Sequence, residues 1–234
     1  MALVLGLPSK GRLMAATIEW FAARGIGIAQ VGMEREYRAE AQGLDGLEIV
    51  MLSAGEIPHE LAAGRIHLGV TGEDMIRERI HESGNRVESL AKMGIGNADL
   101  VIAVPDFWLD VDSMADLDAV CDDFRTRHGM ALRVATKYHN LTRSWFKRHG
   151  IADYRLVDSQ GATEAGPANL TCEIISDITS TGATLRANHL RVLDDGLILS
   201  STANLWRSRL APWGAPAEAT LAAFRARIDA QDKI

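Results

Sequence analysis

The chain has 234 residues, of which 47% are hydrophobic and 24% are charged, and its formal net charge is -6, with a pI of about 5.6. This composition is that of a globular protein with enough apolar material for a core, and the negative charge argues against nucleic-acid binding by bulk electrostatics. Because no apolar stretch has the length of a membrane span and no basic segment precedes the apolar run at the N-terminus, we expect a cytoplasmic protein that binds no membrane.

Short apolar runs alternate with helical patterns in the N-terminal part of the chain. Buried strands are predicted at Leu3–Leu7, Ile49–Leu52 and Leu68–Val70. Amphipathic helices are predicted from Leu13 to Ala23, from Ile57 to Ala63 and from Glu73 onward. Gly25 and Gly64 are expected to end the first two helices, because glycine readily adopts the left-handed conformation that closes a helix.

A second series of strands and helices follows. Strands are predicted at Leu100–Pro105, Leu132–Ala135, Tyr154–Val157 and Ile174–Asp177, and helices at Asp112–Arg127 and Leu141–His149. The alternation stops between Leu190 and Trp206, where two longer strands are predicted with a hairpin turn at Asp194-Asp195-Gly196. A last helix is predicted from Pro216 to Ala230.

This order of elements predicts an α/β fold with mainly parallel strands. No linker rich in proline, glycine or serine divides the chain, yet the two series are of similar length. Two lobes joined by crossover strands, with a ligand cleft between them, explain a division without a linker. We place the second lobe at residues 99–188 and assign residues 1–98 and 189–234 to the first.

Two cysteines, Cys121 and Cys172, lie far apart in the sequence among apolar neighbours. Both are predicted to be buried free thiols, because free cysteine is among the most often buried residue types. The sequence contains no dinucleotide-binding glycine motif, no Walker A motif and no pair of histidines at metal-ligand spacing. We therefore predict no protein ligand set for a metal ion and no serine–histidine–acid set.

The segment Asp177–Leu185 has the pattern of an anion-binding loop. An apolar strand ends at Asp177, small hydroxyl residues then surround a glycine, and a helix-like stretch follows. Amides and hydroxyls in such a turn, beyond the carboxyl end of a strand, form a site of the size of a phosphate. Asp177 is placed to accept hydrogen bonds from sugar hydroxyls or to hold Mg²⁺ through water. The alternative is an ordinary helix N-cap, which also favours serine and threonine.

Two further segments place basic residues after a predicted strand. Ser9-Lys10-Gly11-Arg12 follows the first strand, and its two cations can clamp a polyphosphate. Its alternative is a solvated turn. Thr136–Arg143 also brings polar and basic residues to a position between a strand and a helix, and its alternative is an ordinary loop with a capping residue.

Taken together, these segments resemble the short form of ATP phosphoribosyltransferase of histidine biosynthesis. The resemblance is carried by residues 7–13, 68–74, 133–138, 161–164 and 177–188, in matching order over essentially the whole chain. It implies two lobes like those of type II periplasmic binding proteins, with the active site in the cleft between them. It also implies a reaction, assisted by Mg²⁺, in which ATP and phosphoribosyl pyrophosphate give phosphoribosyl-ATP and pyrophosphate.

The resemblance further implies roles for particular residues. Phosphoribosyl pyrophosphate is expected to bind at Glu164, Asp177, Thr179, Ser180, Thr181, Gly182, Ala183 and Thr184. ATP is expected to bind at Lys10, Gly11, Thr136, Lys137 and Tyr138. The catalytic cations, which stabilise negative charge on the leaving pyrophosphate, are expected to be Lys10, Arg12 and Arg35.

The chain departs from the family pattern in two places. Many members have an arginine at the position of Ser53, so Arg35 or Arg38 is a candidate to replace its charge. The segment Gly161–Glu164 reads GATE where many relatives have GSVE, and the glutamate is kept.

The resemblance also implies an assembly. The short form is expected to be a homodimer alone and a hetero-octamer with a regulatory subunit related to histidyl-tRNA synthetase. Two other functions fit the same loops. One is a non-catalytic cytoplasmic module that binds a small anion, and the other is a phosphoribosyltransferase whose acceptor is a free base.

Overall fold

The computed structural model describes residues 2–30, 38–159 and 161–231. Its strands are β1 (Leu3–Pro8), β2 (Gly27–Gln30), β3 (Arg38–Gln42), β4 (Leu47–Leu52), β5 (Leu68–Gly72), β6 (Val87–Lys92), β7 (Ala98–Pro105), β8 (Leu132–Thr136), β9 (Tyr154–Asp158), β10 (Ile174–Thr179), β11 (Leu190–Ser201) and β12 (Ala203–Ser208). Its helices are α1 (Gly11–Ala22), α2 (Glu56–Ala62), α3 (Glu73–Arg79), α4 (Met114–His128), α5 (His139–Arg148), α6 (Ala183–Ala187) and α7 (Ala215–Gln231). Within the described ranges, no helix is long and apolar enough to cross a membrane.

The chain divides into two compact units, one of residues 1–96 with 202–234 and one of residues 97–201. The first unit contains a seven-stranded sheet in the order β2-β3-β4-β1-β5-β12-β6. β1 is parallel to β4 and β5, and it is buried along almost its whole length because helices cover both faces of the sheet. On one face, Phe21 of α1 packs against Phe224 of α7 with ring centroids 5.8 Å apart. On the other face, Ile57 and Leu61 of α2 are fully buried.

The second unit contains a five-stranded sheet in the order β11-β7-β10-β8-β9. β8 is parallel to both β10 and β9, whereas β7 is antiparallel to both β10 and β11. One face of the sheet packs against Leu117 and Cys121 of α4 and Phe146 of α5. The other face packs against Leu185 of α6 and the buried Cys172.

The expectation of mainly parallel strands was wrong. Of the ten strand pairs in the described residues, only four are parallel, so both sheets are mixed. Strands β2, β3 and β6 account for much of the difference. Apolar runs did not predict them because each carries polar residues, and β2 and β6 are the edge strands of the sheet.

The predicted hairpin at residues 194–196 was also wrong. β11 runs through this segment without reversing and pairs with β7, and the shift in register between Val192 and Leu197 marks an irregularity in the strand. The acidic residues bond to the start of α4 instead of turning the chain. A carboxylate oxygen of Asp195 accepts a hydrogen bond from the Met114 amide at 2.8 Å, and the Asp194 amide donates to the Asp112 carbonyl at 2.9 Å.

One boundary between the two units differs from the predicted one because of β11. Residues 189–201 were expected in the first lobe, but β11 is hydrogen-bonded to β7 and therefore lies in the second unit. The chain then returns to the first unit as β12, which takes its place in the sheet between β5 and β6.

Phe146 and Phe107 allow a direct test of the second core. Phe146 is fully buried in it, whereas Phe107 is 71% exposed. We expect Phe146→Ala to lower the free energy of unfolding by about 3–5 kcal/mol, because it leaves a cavity. Phe107→Ala should change it by less than about 0.5 kcal/mol. Urea denaturation of both variants measures the difference, and equal midpoints would contradict the assigned core.

Candidate active site

The carboxyl ends of three parallel strands meet at one edge of the sheet in the second unit. β10, β8 and β9 are neighbours and run in the same direction, so the loops that follow them leave from the same edge. These loops carry the predicted residues of this unit, namely Thr136, Lys137, Tyr138, Glu164 and the residues that follow Asp177. The structure therefore brings together at one edge residues that are widely separated in the sequence.

The loop after β10 is held by its own hydroxyl groups. The Gly182 amide donates to Thr179 Oγ1 at 2.9 Å, and the Ala183 amide donates to Thr181 Oγ1 at 3.3 Å. Gly182 has a φ of +70°, a left-handed conformation that favours glycine at this position. The amides of Thr184 and Leu185 lie in the first turn of α6, where a helix offers its amides no intrahelical acceptor. The loop thus has a defined shape with amides and hydroxyls on a small surface.

Asp177 is partly exposed and paired with Val101 of β7. One of its carboxylate oxygens, Oδ1, accepts a hydrogen bond from the Ile178 amide at 2.9 Å. The side chain of Ser180 donates to the Asn97 carbonyl at 3.0 Å, which ties the loop to the chain that enters β7. These two bonds fix where the acidic side chain and the loop stand relative to each other.

The segment Thr136–Tyr138 after β8 is partly buried. Thr136 is fully buried, and its Oγ1 accepts a hydrogen bond from the Tyr138 amide at 2.9 Å. The Tyr138 side chain is 5% exposed, so its ring contributes to packing in this structure. The Lys137 side chain is exposed, and its Nζ donates to the Gly161 carbonyl at 2.7 Å. Lys137 therefore links the loop after β8 to the loop after β9.

Glu164 lies in a short 3-10 turn, Thr163–Ala165, that packs against β10. Its side chain is partly buried, whereas the neighbouring Thr163 is fully enclosed and its hydroxyl lies 2.8 Å from that of Ser159. The turn that carries Glu164 thus lies against the strand that ends in the anion loop.

A buried chain of three hydroxyl groups lies beneath this edge. Thr142 Oγ1 of α5 donates to Ser176 Oγ of β10 at 2.8 Å, and it lies 3.5 Å from Thr136 Oγ1 of β8. All three side chains are fully buried. Thr142 lies in the segment Thr136–Arg143 selected from the sequence, but neither Thr142 nor Ser176 was assigned a role there. A hydroxyl residue inside the apolar run Ile174–Ser176 is the sequence signal that could have drawn attention to this position.

In the first unit, Lys10, Gly11 and Arg12 follow β1 and are exposed. β1 is parallel to β4 and β5, so Ser9, Ser53 and Glu73 come after strands that end at one edge. The Ser9 amide donates to the Leu52 carbonyl at 2.8 Å, and Gly11 has a φ of +79°. The predicted cations therefore stand on a turn anchored to the neighbouring strand.

Ser53 precedes helix α2. Its amide donates to Glu56 Oε2 at 2.8 Å, and hydrogen bonds from the Ser53 side chain and backbone lower the pKa of the Glu56 carboxyl. Arg35, the candidate to supply the charge missing at Ser53, lies outside the described residues, and of Arg38 only the backbone at the start of β3 is described.

A cavity of about 460 Å³ lies at the other end of the second unit's sheet. It is lined mainly by apolar side chains, among them Phe107, Trp108, Leu170 and Leu190, and it includes none of the predicted site residues. Cys172 lies in its wall. Burial raises the pKa of the Cys172 thiol and raises that of Cys121 to about 12. Both cysteines are buried and free, which confirms the prediction made for them.

Comparison with known proteins identifies similar sequences over most of the chain. A family model described as HisG: ATP phosphoribosyltransferase matches residues 53–229. The ATP phosphoribosyltransferase of Cereibacter sphaeroides is 56% identical over 228 residues, which cover 97% of this chain and 96% of that protein. The ATP phosphoribosyltransferase of Bradyrhizobium diazoefficiens is 54% identical over 217 residues, which cover 93% of this chain and 67% of that protein.

Two solved structures share the fold at low sequence identity. The ATP phosphoribosyl transferase (HisG:HisZ) complex from Thermotoga maritima contains a chain with a TM-score of 0.73 and 19% identity, with coverage of 97% of this chain and 96% of that one. The substrate binding protein of an amino acid ABC transporter has a TM-score of 0.53 and 13% identity, with coverage of 99% and 93%. These structures confirm the predicted two-lobe α/β fold of the periplasmic-binding-protein type.

Thr142 provides a test of the buried hydroxyl chain. Thr142→Val keeps the volume of the side chain but removes the donor to Ser176. We expect the free energy of unfolding to fall by about 1–3 kcal/mol, because buried polar groups lose their partner. Thr142→Ser keeps the hydroxyl and should cost less. Urea denaturation compares the two variants, and a valine variant as stable as the serine variant would contradict the role of this bond.

Proposed function

The chain belongs to the ATP phosphoribosyltransferase family, and from this premise we propose that it transfers the phosphoribosyl group of phosphoribosyl pyrophosphate to N1 of ATP. The products are phosphoribosyl-ATP and pyrophosphate, and the reaction is the first step of histidine biosynthesis. The observation that carries this proposal is the shared edge of the second unit, where an acidic strand end and a loop of hydroxyls and amides stand together.

We assign the ribose and 5'-phosphate of phosphoribosyl pyrophosphate to this edge. The hydroxyls of Thr179 and Thr181 accept hydrogen bonds from two amides of the loop. These bonds fix the shape of the backbone that we propose contacts the phosphate. The remaining residues of the proposed phosphate site are Ser180, Gly182, Ala183 and Thr184. The Asp177 carboxylate has only acceptor atoms, so it is suited to accept hydrogen bonds from ribose hydroxyls. Its negative charge disfavours direct contact with the phosphate. Glu164 packs near the same strand and is proposed to assist it.

We propose that the loop Thr136–Tyr138 contributes to ATP binding mainly through Lys137. Its ammonium is exposed and its bond to the Gly161 carbonyl uses one of three N–H donors. For the first unit, we propose that Lys10, Gly11 and Arg12 bind polyphosphate. The exposed Gly11 backbone and the two cations beside it suit that anion.

The reaction needs orientation and charge stabilisation more than acid–base chemistry. N1 of adenine has a free lone pair, so the chain need not remove a proton before attack. The transition state resembles an oxocarbenium ion with negative charge growing on the leaving pyrophosphate. Lys10 and Arg12, with Arg35 as a further candidate, would stabilise that charge. Holding two substrates in register can lower the barrier by about 7–11 kcal/mol.

Mg²⁺ is proposed as the ion that accompanies the substrate phosphates. In nucleotide sites it commonly takes one or two carboxylates and completes its shell with phosphate oxygens and water. Asp177 and Glu164 are carboxylates of that kind, and they fit as its protein contacts. Among the described residues, no group of three potential ligands could hold a metal by itself. When bound, the ion supplies positive charge to the pyrophosphate.

We propose that this chain also assembles with a regulatory subunit related to histidyl-tRNA synthetase. The support comes from fold similarity to the chain of the HisG:HisZ complex from Thermotoga maritima. A homodimer of this chain alone and a hetero-octamer with the partner are the corresponding proposals for its assembly.

An activity measurement separates this function from its two rivals. The chain, alone and with a regulatory subunit, is mixed with ATP, phosphoribosyl pyrophosphate and Mg²⁺, and the near-ultraviolet absorbance of N1-substituted adenine is followed. We expect product with ATP and none with adenine as acceptor. Product with adenine alone would favour a free-base phosphoribosyltransferase. Binding of phosphoribosyl pyrophosphate with no product in either mixture would favour a non-catalytic anion-binding module.

Gly182 tests the proposed phosphate loop, and Gly129 is a matched control. Both have a left-handed backbone, with φ of +70° and +67°, so alanine strains both to a similar extent. A Cβ at Gly182 meets the Arg186 guanidinium at 2.8 Å, whereas nothing lies within 4 Å of one at Gly129. We expect Gly182→Ala to weaken phosphoribosyl pyrophosphate binding by about tenfold or more in calorimetry. Equal affinities for the two variants would contradict the assignment.

A further inference from the structure

The proposed phosphate loop has no positive charge of its own. Residues 177–184 contain one ionised side chain, Asp177, and it is negative. A phosphate monoester carries up to two negative charges, so its approach to this carboxylate is unfavourable unless a cation lies close by. A cationic side chain from outside the loop would therefore favour phosphate binding, in addition to the amides, the hydroxyls and the proposed Mg²⁺.

Arg186 lies against this loop. Its Nη2 donates to the Thr181 carbonyl at 3.1 Å, and its Nη1 lies beside Gly182, 2.8 Å from where a Cβ would stand. The guanidinium therefore lies where Gly182 lacks a side chain. The bond to Thr181 uses one of its five N–H donors, and the planar group is suited to bind a phosphate with two parallel bonds.

The charge of Arg186 also lacks a neutralising partner. Four other arginines of the second unit are bound to carboxylates, namely Arg125, Arg127, Arg133 and Arg191. Within the part of the chain that the structure describes, no carboxylate lies within 4.0 Å of the Arg186 guanidinium, and the residue is exposed. An exposed cation held at an anion loop without a carboxylate partner is available to a ligand.

We propose that Arg186 binds the 5'-phosphate of phosphoribosyl pyrophosphate and is the basic side chain of this site. The inference rests on the proposed function. The bond to Thr181 places the guanidinium at the loop, and the phosphate then takes donors that this bond does not use. Gly182 leaves room for the guanidinium in this position, since a side chain there would displace it. The competing explanation is that Arg186 only braces the loop through the Thr181 carbonyl.

Two substitutions distinguish a charge from a brace. Arg186→Gln keeps an N–H donor that can reach a carbonyl but loses the charge, whereas Arg186→Lys keeps the charge and loses the planar group. Binding of phosphoribosyl pyrophosphate is measured by calorimetry on the full chain. We expect the glutamine variant to bind about 10- to 100-fold more weakly and the lysine variant to stay within about fivefold of wild type. The loss should shrink as KCl is raised from about 50 to about 500 mM, because salt screens the exposed charge.

Arg148→Gln is the matched control, because it removes one exposed arginine from the same unit, where Arg148 lies over the ring of Trp145. Its affinity should equal that of wild type. A glutamine variant of Arg186 with wild-type affinity would overturn the inference, and so would a lysine variant that binds more weakly than the glutamine variant. If the wild-type chain itself does not bind phosphoribosyl pyrophosphate, the proposed function fails and the inference fails with it.

Discussion

Strand β10 is hydrogen-bonded on both sides, to β8 running parallel and to β7 running antiparallel. Its position in the middle of the sheet leaves the strand little freedom to shift, because a change of register would break two ladders at once. Asp177 and the loop that follows inherit this rigidity, and the bond between Ser176 and Thr142 adds α5 to the same frame. The candidate site thus depends on a strand that is paired on both sides and whose carboxyl end leads into the anion loop.

The hydroxyls of the loop fix its shape, which is a different role from binding a phosphate directly. Thr179 and Thr181 already accept hydrogen bonds from the amides of Gly182 and Ala183, so both amides have a hydrogen-bond acceptor before an anion binds. A phosphate must therefore exchange bonds with the loop or use other donors. This favours affinity that comes from charge and from amides in the first turn of α6, and it explains why threonine at these positions serves the shape of the loop as much as its chemistry.

The sequence was most informative where local patterns decide the structure. The strand before Asp177, the turn residues after it and the buried cysteines followed from apolar runs and composition, and the family resemblance joined separate segments into one site. Contacts between distant residues were not accessible in this way. Asp194 and Asp195 have the sequence of a turn but form hydrogen bonds at the start of α4. The position of β12 between β5 and β6 depends on pairing with strands far away in the sequence. The contact of Arg186 with Thr181 likewise depends on the path of the loop.

The placement of β12 has a consequence for how the chain is made. Residues 97–201 leave the ribosome as one uninterrupted stretch and can complete their own sheet at once. The sheet of the first unit is completed later, since β12 and the buried Phe224 of α7 are translated after residues 97–201. Until they arrive, β5 and β6 have open edges and part of the core is uncovered, which is the condition that attracts chaperones or promotes aggregation. Synthesis of β12 and α7 is therefore the step that completes the sheet and core of the first unit.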